Sequence, residues 1–217
     1  MLELANLSKS YGSNTILEID HFSIPSGIFW LLGHNGIGKT TLLKMIGGIE
    51  PFKGNIAFNG IDLRQSPVEY RRSVNIGEAE PLFPTFLKGK ELIELFAKAK
   101  QAEATQVSFL LKTLDVHHYI NTPIGSYSSG MIKKLSLILA FLGNPSLILL
   151  DEPLITLDKE SQEMIQTLII NSWKERNVSF IISSHQELPI TASSLSKIMI
   201  RDRKLVLLDN IINAGLL

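Results

Sequence analysis

The sequence predicts an α/β domain with a helical lobe inserted into it. Three observations carry this. A continuous apolar run at residues 28–32 passes straight into a glycine-rich turn and then a helical pattern. Two further apolar runs, at 147–150 and 178–183, flank a helical pattern at 159–174. Strand–helix–strand alternation of this kind implies parallel pairing with crossovers. Between these regions, residues 81–142 carry helical spacing. A chain of 217 residues with 45% hydrophobic content suits one such domain with a full core.

The elements follow in order. Residues 2–7 and 16–19 read as short strands, and 28–32 as a buried one. A helix is expected at 40–46, ended by Gly47 and Gly48. In the lobe, Leu92, Ile93 and Phe96 recur at helical spacing, as do Val107, Leu110, Leu111 and Leu114. Residues 131–142 read as a third helix. The tail, 197–208, reads as a hairpin turning near Asp202. The most apolar stretch, 135–150, is broken at Gly143-Asn144-Pro145, and neither half reaches the ~20 apolar residues of a membrane span. The first residues lack a basic segment followed by an apolar one, so no secretory signal is expected. A membrane role must therefore come through a partner.

Charge and composition narrow the function. Lys plus Arg equals Asp plus Glu at 21 each, which argues against affinity built on neutralising a phosphate backbone. The chain has no cysteine, which excludes disulfides and thiolate metal sites.

The segment Gly33-His34-Asn35-Gly36-Ile37-Gly38-Lys39-Thr40-Thr41 fits G-x4-G-K-S/T. Its glycines let the backbone curl so that N–H groups face phosphate oxygens, and the following helix adds its positive end. Lys39 can reach the β- and γ-phosphates, the Thr40 hydroxyl can bind Mg²⁺, and Thr41 can donate to a phosphate. The motif follows a predicted strand and opens a predicted helix, as its mechanism requires. The run at 147–150 ends in Asp151 and Glu152. Alone this is an ordinary strand-end acid pair. Beside a phosphate cradle, Asp151 is expected to hold Mg²⁺ directly or through a bound water, and Glu152 to polarise the attacking water as a general base or an orienting group. The strand at 178–183 leads to His185, at the strand end where open α/β sheets bind ligands, placed to bond the γ-phosphate.

Here the chain resembles the ABC ATPase subunits of transporters along nearly its whole length. Tyr127-Ser128-Ser129-Gly130-Met131 is similar to that family's LSGGQ signature and closer to its YSxGM variant. It falls between the phosphate loop and the acid pair, in the family's order. The resemblance implies a P-loop NTPase core with a mixed sheet, an N-terminal antiparallel β subdomain and an inserted α-helical subdomain. It implies a core of 1–80 and 143–217, with 81–142 as the signature subdomain. It further implies that Tyr11 stacks on adenine, that Ser128 and Gly130 grip the γ-phosphate bound on a second subunit, and that Leu157-Asp158 forms the loop contacting that subunit. Counting back from Leu82-Phe83-Pro84 reaches Glu78, where the family carries Gln as a Mg²⁺ contact; glutamate can fill that role directly or through water. Ser129 and Met131 stand where Gly and Gln are commonest.

The resulting expectation is an ATP- and Mg²⁺-dependent power subunit. It would be cytoplasmic and peripheral on the membrane through separate transmembrane permease subunits, and it would work as a homodimer or with a related ATPase. A soluble ABC ATPase acting on DNA or ribosomes fits less well. The repair type needs a long coiled coil between cradle and signature, and here about 90 residues separate them. The translation type carries two modules in one chain. A non-hydrolysing regulator would lack Glu152 or His185, and both are present.

Overall fold

The computed structural model describes residues 1–185 and 195–208. Part of the predicted core segment 143–217 therefore lies outside the described residues. Strands β1 (Leu2–Tyr11) and β2 (Asn14–Ile24) form a hairpin. Both run further than their apolar residues suggest, because polar residues such as Ser8, Lys9 and Ser10 on β1 continue the ladder with β2. Asn6, at φ 49, breaks the register that β1 shares with its neighbour β4 (Lys53–Phe58). With β5 (Ile61–Asp62), these strands make an antiparallel sheet in the order β2-β1-β4-β5.

The main sheet contains β3 (Ile28–Leu32), β6 (Val74–Gly77), β7 (Leu147–Asp151), β8 (Ser179–Ser183), β9 (Leu195–Arg201) and β10 (Lys204–Leu208). Its order is β10-β9-β3-β8-β7-β6, parallel except for the β9–β10 hairpin at Asp202–Arg203, so the sheet is mixed. The continuous apolar runs exist because both faces are covered. Ile28, Trp30, Ile148, Leu150, Phe180 and Ile182 enter one core, while Phe29, Leu31, Leu147, Leu149 and Ile181 enter the other. Successive residues alternate between the two, as the pleat requires.

Helix α1 (Lys39–Ile46) packs into the second core with the antiparallel sheet. Residues 53–77, which carry no apolar run or helical spacing long enough to read, hold β4, β5, α2 (Pro67–Ser73) and β6. The lobe contains α3 (Gly89–Lys100), α4 (Ala104–Thr113) and α5 (Ser129–Phe141). It shares its core with the sheet: Leu92, Ile93 and Leu110 join Leu135, Ile138 and Ile148 in one cluster. Asn75 of β6 clasps the end of α5, donating to Ala140 O at 2.8 Å and Leu142 O at 2.9 Å. Helix α6 (Lys159–Arg176) links β7 to β8. Among the described residues no helix is long and apolar enough to cross a membrane.

Candidate functional site

Parallel strands deliver their carboxyl ends to one edge of the sheet, and three of them build a cleft there. Strand β3 hands over to the glycine loop. Strand β7 ends in Asp151, in register with Ser183 at the end of β8. The loop needs its glycines: Gly38 has φ 111, and a Cβ there would stand 2.7 Å from Ile16 Cγ2. Gly38 also caps α1, so the helix N-terminus opens onto the loop.

The cleft has a volume of about 450 Å³. Its lining brings together Tyr11, Asn35, Gly36, Gly38, Lys39, Thr40, Thr41, Asp151, Glu152 and His185 from distant parts of the chain. Lys39 is buried, and its ammonium donates to Gly33 O at 2.7 Å and His34 O at 3.3 Å. Burial pulls its pKa down, and Glu152 and Asp151 oppose that pull. The Thr40 hydroxyl donates to Asp151 Oδ2 at 2.7 Å. The other oxygen of Asp151 accepts from Ser183 Oγ.

Glu152 is held in the left-handed region at φ 46, a strained setting for a residue with a side chain. Its N–H bonds to Ser183 O and Ser183 Oγ, both at 3.1 Å, and fixes that turn. Glu152 Oε2 accepts from the His185 N–H at 3.3 Å. Glu152 Oε1 is buried without a well-aligned hydrogen bond, and His185 Nε2 approaches it at 3.2 Å. The two predicted catalytic groups thus touch each other directly. Tyr11 stands at the mouth, half exposed, its hydroxyl donating to Glu50 at 3.0 Å and its ring 4.6 Å from Lys9 Nζ.

Glu78 is placed differently from the expectation. Its carboxylate lies 2.7 Å from Lys44 on α1, and it is absent from the lining of the cleft. The Glu78 carboxylate raises the Lys44 pKa by hydrogen bonding to it. Glu80, two residues on, lines the cleft instead. The chain leaves β6 at Gly77, and the next two acids take opposite neighbours. Composition could flag both acids, but only the path of the chain separates them.

The predicted signature residues form a second cleft of about 600 Å³, sharing no lining residue with the first. Ser128 caps α5, accepting from Met131 N at 3.3 Å. Gly130 lies so close to the loop after β7 that a Cβ would stand 3.0 Å from Thr156 O. Asp158 lines this cleft but already caps α6, accepting from Ser161 N at 2.8 Å and Ser161 Oγ at 2.9 Å. The Ser161 N–H is the main cause of its lowered pKa. Asp115, His118, Tyr119 and Lys134, none of them singled out by motif, also line it.

The glycine loop, the Tyr127–Met131 segment and the acid pair fall within one matched stretch. A family model described as ABC transporter matches residues 17–155. The chain belongs to the ABC transporter family. Among ABC relatives, it is 31% identical over 189 residues to the ABC transporter ATP-binding protein YtrB of Bacillus subtilis (strain 168), covering 86% of this chain and 64% of that protein. It is 30% identical over 187 residues to the lantibiotic transport ATP-binding protein SrtF of Streptococcus pyogenes, covering 85% of this chain and 80% of that one. The chain spans between half and two-thirds of the length of the curated ABC relatives it matches first. A solved ATP-binding subunit of an ABC transporter superposes with TM-score 0.83 at 26% identity, covering 96% of this chain and 90% of that one. A dimeric ATP-binding cassette bound to ADP and phosphate shares the fold, with TM-score 0.80 at 22% identity, covering 94% and 96%. The chain therefore has the ABC cassette fold, a P-loop NTPase.

Proposed function

We propose that the chain is the ATP-binding and ATP-hydrolysing subunit of an ABC transporter, closing in pairs around two nucleotides to drive separate membrane subunits. The observation that carries this reading is the pair of clefts. The phosphate cradle and the signature groups are both intact, yet lie in separate cavities of one chain. A nucleotide cradled in the first cleft needs the signature cleft of a second cassette to cover it.

The donor set fits Mg²⁺. Thr40 Oγ1 and Asp151 Oδ2 are hard oxygen donors already 2.7 Å apart at the foot of the cradle. When bound, the ion neutralises charge on the phosphates. The chain's own residues do the rest. Lys39 exchanges its carbonyl partners for phosphate oxygens. The loop and the start of α1 supply N–H groups. Glu152 orients and deprotonates the attacking water, with His185 holding its carboxylate. Tyr11 offers a ring to the base. Glu80 is the acid that faces the cradle, in place of Glu78.

The permease would dock beside the loop that follows Glu80, where Leu82 and Phe86 are 97% and 80% exposed. This would hold the cassette at the inner face of the membrane. The test is kinetic. Glu152→Gln should slow ATP hydrolysis by roughly 10²–10⁴-fold while Mg·ATP still binds. Hydrolysis at the parental rate would overturn the assignment.

A further inference from the structure

We infer that Lys133 is a positioning residue, which with the Glu78–Lys44 pair makes one relay between the signature helix and the catalytic strand. The inference rests on reading the first cleft as an ATP site. Lys133 lies on α5 and is 3% exposed. Its ammonium donates to Asp151 O at 2.9 Å and Glu78 O at 3.1 Å, with Ala79 O at 3.5 Å. A lysine has three N–H donors, and all three meet main-chain carbonyls here. A buried ammonium is tolerated only when paired in this way.

The carbonyls belong to two places that matter. One is the residue that binds Thr40 through its side chain. The other is the segment leaving β6, the strand paired with β7 at Gly77↔Leu150. Ser136, on the same helix, adds a bond to Glu78 O at 3.4 Å. The Glu78 side chain then reaches Lys44 on α1. Helix α1 begins at Lys39 and Thr40, and the Thr40 hydroxyl returns to Asp151. The path closes on itself: α1, Glu78, Lys133, Asp151, Thr40. Ser128 stands at the start of the same α5, so a ligand gripped there pulls on a helix whose ammonium holds the Asp151 main chain.

The test compares Lys44→Met, Lys133→Met and the double variant with the parent chain. Methionine keeps the apolar stem and removes the donors. Each single variant should bind Mg·ATP within about twofold of the parent yet hydrolyse it about tenfold more slowly at saturation. The double variant should be no slower than the slower single, because both cut one path. Lys133→Met turning over at the parental rate, or effects that multiply in the double variant, would overturn the inference. If Lys133→Met melts early, Lys44→Met carries the test alone, since it alters a partly exposed ion pair; unchanged turnover there is equally decisive against the relay. Failure of the parent to bind Mg·ATP would strike the ATP reading instead.

Discussion

Ser183 is the least conspicuous residue of the cleft and one of the most connected. It is fully buried, its hydroxyl donates to Asp151, and it accepts the N–H of Glu152 twice over, at its carbonyl and at its hydroxyl. Ser183→Ala leaves a buried carboxylate oxygen short of a donor. It should lower stability by about 1–3 kcal/mol in urea unfolding, and lower turnover as well. Tyr11 makes a contrasting case. Tyr11→Phe keeps the ring and should leave ATP affinity nearly intact, whereas Tyr11→Ala should weaken it by about 1 kcal/mol or more in calorimetry. Equal loss in both variants would mean that the hydroxyl, through Glu50, is what matters.

At the scale of elements, legibility tracked burial. Strands β3, β7 and β8 are buried along both faces, so their apolar runs announce them. Strand β4 is six residues long with Gly54 and Asn55 inside it, and β6 is only four, so neither gives a period to read. The cradle was legible because a local motif needs only local residues. The pairing of Asp151 with Ser183, the Lys133 contacts, and the division of labour between Glu78 and Glu80 depend on strand register and chain path, which no short pattern encodes. Helix starts carry their own prediction. Ser128→Ala removes the cap of α5 and should cost about 1 kcal/mol. It should spare nucleotide binding in the chain's own cradle while lowering turnover, because the signature cleft is a separate cavity. Gly38→Ala should abolish Mg·ATP binding, since the new Cβ would press on Ile16 at a positive φ.

For the whole molecule, the chain presents two separate clefts, backed by apolar cores on the two faces of the main sheet. The lobe and the sheet share apolar residues through α5, a helix that is itself tied to β6 and β7. In the function proposed above, burial of the signature groups against a second nucleotide is the event that couples two cassettes. The most direct test is the mass of the Glu152→Gln chain in solution, measured by light scattering with and without Mg·ATP. The account predicts a monomer without nucleotide and a dimer holding two ATP molecules with it. A chain that binds Mg·ATP fully and stays monomeric at every concentration would contradict it.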